Sequence, residues 1–255
     1  METTIRKLYR ETDIYSGKEI TLQGWVRNSR AQKAFGFIDL HDGTFFKTIQ
    51  IVYENEFLSN FLDVSKFRVG SSIEVTGFLE LTPTSKQPFE IKARKISLLG
   101  SSEEDFPIQP KRHTREFLRE VSHLRPRTNL FNAIFRVRSL VAHAIHTFFQ
   151  DQDFVYVHTP IITSNDGEGA GEMFRVTTMD LENVPKDDKG QIDFKKDFFQ
   201  IPTNLTTTGQ LHIESFLPAF RNCYTFGPTF RSENSNTKIH AAEFWMIEPE
   251  ISLQI

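Results

Sequence analysis

The sequence predicts an α+β chain of two domains, a small five-stranded β-barrel followed by a larger domain that ends in an antiparallel hairpin. Three features carry that expectation. Residues 18–99 fall into five short runs of alternating apolar and polar residues, each bounded by turn formers. An acidic break, Gly100-Ser-Ser-Glu-Glu-Asp-Phe-Pro107, then interrupts the pattern. Near the far end two aromatic, strand-like runs, Tyr224–Phe230 and Phe244–Ile251, flank a polar loop.

Bulk properties set the frame. The 255 residues are enough for two cores, and 25% charged with 38% hydrophobic residues is ordinary globular composition, although 25 phenylalanines are many. A formal net charge of −3 argues against a wholesale polyanion binder, so any nucleic-acid contact has to be local. The one cysteine, Cys223, excludes an internal disulfide and a multi-cysteine zinc site and suits a reducing compartment. It lies in an apolar run and reads as a buried structural thiol. No apolar stretch approaches membrane-spanning length, and Met1-Glu-Thr-Thr-Ile-Arg-Lys7 has no hydrophobic core, so neither a signal nor a transit peptide is indicated. The expected compartment is the cytoplasm.

The barrel strands are expected at Ile20–Val26, Phe35–Leu40, Thr48–Tyr53, Ser72–Leu79 and Phe89–Ile96, with a turn at His41-Asp-Gly43 and a short helix within Phe57–Phe67. Five strands with a helix between the third and fourth is the order of an OB-fold β-barrel, and on pattern alone another small barrel stays open. Trp25, flanked by strand residues, is assigned to the barrel core. Beyond the break, Lys111–Arg138 carries eight lysines and arginines against only Glu116 and Glu120. That run is either a solvated helix face or a phosphate-tracking surface. Apolar residues at helical spacing (Leu130, Ile134, Val137, Leu140, Val141, Ile145, Phe148, Phe149) predict a helix over Asn129–Gln150, and strand-like Phe154–Thr163, with Pro160, follows. Residues 164–175 form a glycine-rich loop whose acids rule against a phosphate cradle, and Asp180–Asp197 reads as a surface loop.

The terminal hairpin sets charged residues at the edges of its loop, where they could face a small charged ligand. Arg231 ends its first strand, Glu233 follows, His240 closes the loop and Phe244 opens the return strand. A guanidinium fork matches phosphate oxygens, and a flat aromatic gives a purine something to stack on. Each residue alone also suits an ordinary hairpin with a charged tip.

Together, the order Phe-Arg-x-Glu, loop, His-x-x-x-Phe closely resembles motif 2 of the class II aminoacyl-tRNA synthetases. The resemblance implies that ATP is bound here for amino-acid activation. Arg231, the expected catalytic residue, would hold the α-phosphate and His240 would reach the outer phosphates. Phe244 would stack on adenine, and Glu233 would orient the nucleotide or the tRNA end. The string Glu-Asn-Ser-Asn-Thr237 followed by Ala242-Glu-Phe-Trp-Met-Ile-Glu-Pro-Glu250 is similar to the asparaginyl branch rather than the aspartyl or lysyl ones. In that branch Glu248 would accept from the NH₂ of an asparagine amide.

The same resemblance extends along the chain. The helix–strand–proline combination from Asn129 looks like motif 1, which implies a homodimer. Glu168 would pair with the substrate α-ammonium. Thr206-Thr-Thr-Gly-Gln-Leu211 is similar to the branch's Ser-Gly-Gln-Leu segment, with Thr208 at the usual serine and Gln210 binding the amino acid's amine. Residues 215–222, around Pro218 and Arg221, depart from the pattern. On the barrel, Phe37 would stack against an anticodon base, and Arg30 and Gln50 would contact the central uridine. The implied architecture is an OB-fold anticodon-binding domain (1–100), a basic hinge (101–128) and the N-terminal portion of a class II synthetase antiparallel-sheet catalytic domain (129–255), incomplete at its C-terminus. The family's third motif is not found, so ligands for Mg²⁺ are expected beyond Ile255 and no metal ligand is assigned here. The implied activity is asparagine–tRNA ligation, with asparagine, ATP and tRNA(Asn) as partners. An aspartyl enzyme of relaxed specificity and a non-catalytic tRNA-binding module are the alternatives, while the barrel disfavours an ammonia-using asparagine synthetase.

Overall fold

The structure, a computed structural model, describes residues 3–253 apart from 86, 166, 168, 170, 171, 235, 236, 238 and 239. The chain divides into two compact units, residues 1–139 and 140–255. No helix among the described residues is long and apolar enough to cross a membrane.

The first unit opens with a helix that the sequence reading missed. Thr4, in extended backbone, accepts the Lys7 N–H and starts α1 (Ile5–Arg10), which leads into α2 (Thr12–Tyr15). Ile5 and Leu8, three residues apart on one helix face, are fully buried and belong to the barrel's core cluster. The barrel itself is β1 (Glu19–Ala31), β2 (Phe35–His41), β3 (Ile49–Glu54), β4 (Ser72–Leu81) and β5 (Phe89–Gly100), with α3 (Phe61–Val64) between the third and fourth strands. It closes in the order β1-β2-β3-β5-β4, and closure leaves no strand edge free. All contacts are antiparallel except β3 with β5, which pairs Ile51 with Ile91 in parallel. Alternation puts Leu22, Val26, Ile38, Leu40, Ile73 and Val75 inside.

The same alternation corrects the assignment of Trp25. Leu22, Gly24 and Val26 point inward, so Trp25 stands on the outer face and is 48% exposed. It is not a core residue. The helix expected within 57–67 is also shorter than anticipated, with α3 covering one turn.

Past the barrel, Thr114 caps α4 (Arg115–Glu120) through the Phe117 N–H, and α4 buries Leu118. The long helix α5 (Asn129–Gln150) has the expected bounds, yet none of its side chains is fully buried. Val137, Leu140, Val141 and Phe148 are 58%, 69%, 50% and 58% exposed.

The second unit contains two small sheets. One orders β11 (Glu243–Ile251), β10 (Asn222–Phe230) and β6 (Val155–Tyr156), and the other orders β7 (Ile162–Thr163), β9 (Thr203–Leu205) and β8 (Arg175–Val176). The strand expected through Phe154–Thr163 is therefore two short strands in different sheets, and Pro160, which has no N–H to offer a ladder, lies in neither. On one face of β10, Tyr224 stacks on Phe149 at 4.7 Å and its hydroxyl meets His146 Nδ1 at 2.7 Å. The other face is capped near Cys223 by α6 (Gln210–Glu214) and α7 (Leu217–Phe220), where Val157, Ile213, Cys223 and Leu217 cluster. Cys223 is fully buried, and burial pushes its thiol pKa up. The divergent stretch 215–222 has a physical account. Pro218 sits in the first turn of α7, where its missing N–H costs nothing, and Arg221 ends that helix at φ 62° with its carbonyl held by Ser252.

The α1 contact generates a prediction. Leu8→Ala removes a fully buried side chain from the barrel core and is expected to cost about 2–5 kcal/mol, read as a lower urea midpoint for the barrel transition. An unchanged midpoint would show that α1 is not part of the core.

Candidate functional site

The β10–β11 ladder sets the site. Its register pairs Thr229 with Phe244, Gly227 with Met246, Thr225 with Glu248 and Cys223 with Glu250. Paired residues in an antiparallel ladder share a face, so Phe244, Met246, Glu248 and Glu250 stand beside Thr229, Gly227, Thr225 and Cys223. The β11 residues on this face are half-buried, whereas Trp245, Ile247 and Ile251 on the opposite face are exposed. Gly227 leaves the middle of the face open, since a Cβ added there would meet nothing within 4 Å. The result is a floor with two functional ends. Phe244 and Glu248 are four residues apart, roughly 13 Å along the strand.

At one end the Arg231 guanidinium carbon lies 5.5 Å from the centre of the Phe244 ring. The chain enters this corner as the ladder closes, with the Arg231 N–H donating to the Ala242 carbonyl at 3.1 Å. Arg231 Nη2 reaches the Thr207 carbonyl at 3.5 Å, and Nε is buried with no hydrogen-bond partner in the structure. A half-buried fork with an unused donor beside an aromatic ring is suited to a phosphate with an attached flat base. Glu233 and His240 are exposed on the connecting loop, where the Thr237 hydroxyl contacts His240 Nδ1 and accepts the His240 N–H at 3.2 Å.

At the other end Glu248 is held by a seat the sequence reading did not identify. The Thr208 hydroxyl donates to Glu248 Oε1, and the Gly209 N–H lies 3.2 Å and 3.0 Å from Oε1 and Oε2. The seat requires glycine, because a Cβ on residue 209 would come within 2.7 Å of Thr159 Oγ1 and 2.8 Å of Thr225 Cγ2. The Thr-Gly pair just ahead of a helix, facing a strand carboxylate, was the available signal, but only the ladder register shows that they meet. Beyond Glu248, burial first and then the Glu214 and Glu248 carboxylates raise the Glu250 pKa. Gln210 is exposed at the start of α6, next to this seat. Glu168 lies outside the described residues.

A separate surface gathers the three barrel residues singled out by sequence. Phe37 is half-buried on the outer face of β2, edge-on to Phe35 with ring centroids 5.5 Å apart. Arg30 is its partner in the β1–β2 register, and the guanidinium carbon lies 5.6 Å from the Phe37 ring centre. Gln50 faces outward on β3 but is engaged, donating from Nε2 to Glu90 Oε2 at 2.9 Å, and Lys92 pairs with the same carboxylate at 3.1 Å. A shallow depression of about 670 Å³ beside Phe37 is lined by Phe35, Val52, Glu90 and Lys92. Among the described residues no group of three or more His, Cys, Asp or Glu side chains could hold a metal ion.

Comparison with known proteins bears on the family and fold of both units. The family described as tRNA synthetases class II (D, K and N) matches residues 114–254, and the OB-fold nucleic acid binding domain matches residues 20–99. The chain is 63% identical over 252 residues to an asparagine–tRNA ligase of Acholeplasma laidlawii, covering 99% of this chain and 54% of that protein. It is 60% identical over 253 residues to an asparagine–tRNA ligase of Clostridium novyi, covering 99% and 54%. The chain thus spans about half the length of the curated relatives it matches. Among solved structures, asparaginyl-tRNA synthetase from Pyrococcus horikoshii complexed with asparaginyl-adenylate shares the fold with a TM-score of 0.80 at 22% identity, over 100% of this chain and 54% of that one. A closed five-stranded OB barrel, joined in one chain to the sheet and hairpin of a synthetase catalytic domain, shows that this chain belongs to the class II tRNA synthetases of the D, K and N group.

Proposed function

We propose that this chain supplies the anticodon-binding barrel (residues 1–100), the basic hinge (101–128) and the first part of the catalytic domain (129–255) of an asparagine–tRNA ligase. The observation that carries the reading is the two-ended floor, with Arg231 against Phe244 at one end and Glu248 fixed by Thr208 and Gly209 at the other. Relatives at 60–63% identity across nearly the whole chain support the choice of amino acid.

The reaction needs no protein nucleophile. The carboxylate of asparagine attacks the α-phosphorus of ATP, the bond to the β-phosphate oxygen breaks, and pyrophosphate leaves with its electrons. Catalysis is then positioning and charge stabilisation. Adenine stacks on Phe244, and Arg231 turns its unpartnered Nε and its remaining guanidinium donors to the α-phosphate. His240 and Glu233, on the loop, reach the outer phosphates and the tRNA end. Gln210 and Glu168 bind the ammonium group. The terminal ribose of tRNA(Asn) then takes the asparaginyl group from the adenylate, releasing AMP. When bound, magnesium would supply charge neutralisation on the phosphates, and no residue of this chain is assigned to hold it.

Side-chain selection follows from acceptor geometry. Each carboxylate oxygen has two lone pairs, so Glu248 keeps acceptor capacity after taking the Thr208 and Gly209 donors. An asparagine NH₂ satisfies that capacity, whereas an aspartate carboxylate meets a like charge. On the barrel, Phe37, Arg30 and Gln50 receive the anticodon. The exposed apolar side chains of α5 fit a second copy of the protein, giving a homodimer, and a lone buried thiol suits the cytoplasm.

In a protein of the relatives' full length containing this chain, ATP–pyrophosphate exchange is expected with asparagine and at least about 100-fold less with aspartate. Equal exchange would assign the aspartyl alternative. Arg231→Ala in that protein is expected to lower kcat/KM for exchange by about 10²–10³ while leaving the affinity for an anticodon hairpin unchanged; loss of both would break the proposed division of labour. Conversely, Phe37→Ala in the 255-residue chain is expected to weaken hairpin binding about tenfold in a filter-binding titration.

A further inference from the structure

The barrel has a second aromatic and cationic surface, distinct from the Phe37 face. The β1–β2 register passes from Val26↔Leu40 to Asn28↔Asp39, which makes Arg27 the extra residue of a β-bulge. A bulge breaks the alternation and re-aims a side chain. Arg27 is directed at the segment after the barrel, where its Nη2 donates to Asn129 Oδ1 at 3.3 Å. Burial, and then the neighbouring Arg127 guanidinium, push the Arg27 pKa down. Arg127 itself lies 5.4 Å from the Phe106 ring centre. Among the described residues neither arginine is in an ion pair. Two guanidiniums held together without a carboxylate are at odds with each other until an anion joins them.

These groups line a cleft of about 1360 Å³ within the first unit. Its wall includes Trp25, whose indole is 48% exposed, and the cations continue along it through Lys111, Arg112 and Arg115. Five lysines and arginines line the cleft against two carboxylates, Asp39 and Glu116, in a chain whose formal net charge is −3. A charge balance reversed this far locally is the footprint of a polyanion site, and a flat exposed indole is a stacking platform for a base.

We infer that this cleft is a second RNA-contact site, taking an unpaired nucleotide with its base on Trp25 and its phosphate between Arg27 and Arg127. The inference rests on the reading of the chain as a tRNA-binding synthetase. The site is separate from the anticodon surface, because Trp25 pairs with His41 at one end of the β1–β2 ladder and Arg30 with Phe37 near the other. An RNA strand fits better than a free nucleotide, since Lys111, Arg112 and Arg115 extend the cationic track beyond what one phosphate group uses.

Only two tryptophans are present, so the 255-residue chain carrying Trp245→Phe reports on Trp25 alone. Titration with a twelve-nucleotide oligouridylate is expected to quench its fluorescence. Arg27→Gln and, independently, Arg127→Gln are each expected to raise the Kd about tenfold at low salt and to reduce the salt slope by about one. Phe37→Ala is expected to leave the Trp25 quench in place. Absence of quenching in the parent, or quenching indifferent to both arginine changes, overturns the inference. Equal Kd for UMP and the oligonucleotide overturns it in favour of a mononucleotide site. If the anticodon hairpin still binds and still needs Phe37 while Trp25 stays unquenched, this inference fails and the synthetase reading stands. If Trp25 is quenched but the hairpin gains nothing from Phe37, the anticodon reading fails and the cleft stands.

Discussion

The register of one antiparallel pair decides what the second unit is able to do. A slip of one residue between β10 and β11 would move Phe244 and Glu248 to the side now occupied by Trp245 and Ile247, and the floor would vanish. Two packing facts resist that slip. Tyr224 and Phe226 are tied on the opposite side of β10 to His146 at 5.8 Å and 5.6 Å between ring centroids. On the site side, Gly209 approaches so closely that it fits against Thr225 and Thr159 and nothing larger. The aromatic packing supplies rigidity and the glycine supplies fit. The carboxylate of Glu248 is positioned as a consequence of both.

The barrel solves a different problem. A closed five-stranded sheet is small, and its interior needs plugging at the end. α1 does this with Ile5 and Leu8, and it is anchored outside by Asp42, whose carboxylate accepts the Ile5 N–H at 2.7 Å. Interior residues are thereby committed to packing, which leaves the outward positions of each strand free for recognition. The two surfaces proposed to meet RNA share β1 and β2 yet differ in origin. Arg30 and Phe37 follow the regular pleat, and Arg27 departs from it at the bulge.

Much of this was legible in the residues themselves. The period-two runs located all five barrel strands, the 3.6-residue spacing bounded α5, and the aromatic runs bracketed β10 and β11 closely. What escaped was information carried by tertiary contact. Trp25 looked like core because strand aromatics usually are, but parity with Leu22 and Val26 sends it outward, and parity was readable only once those two were known to point in. α1 is a short helix whose two apolar residues gain nothing until the barrel is there to receive them. Thr208 and Gly209 are 40 and 39 residues from Glu248, a separation at which no local pattern signals contact. The spacing on α5 gives its bounds and its apolar face, but a helical period reports a face and not what covers it, and none of these side chains is buried within the chain.

The solitary thiol has a consequence for handling the molecule. Only a thiolate attacks oxidants and alkylating agents, and Cys223 is both fully buried and shifted away from ionisation. The folded chain is therefore inert to redox chemistry at cysteine, and cannot couple to itself through a disulfide while the sheet is closed. Labelling at Cys223 proceeds only through opening of the β10 environment, so its rate measures how often that sheet breathes. The residue that does no chemistry in the native state thus becomes a clock for the strand on which the whole site is laid out.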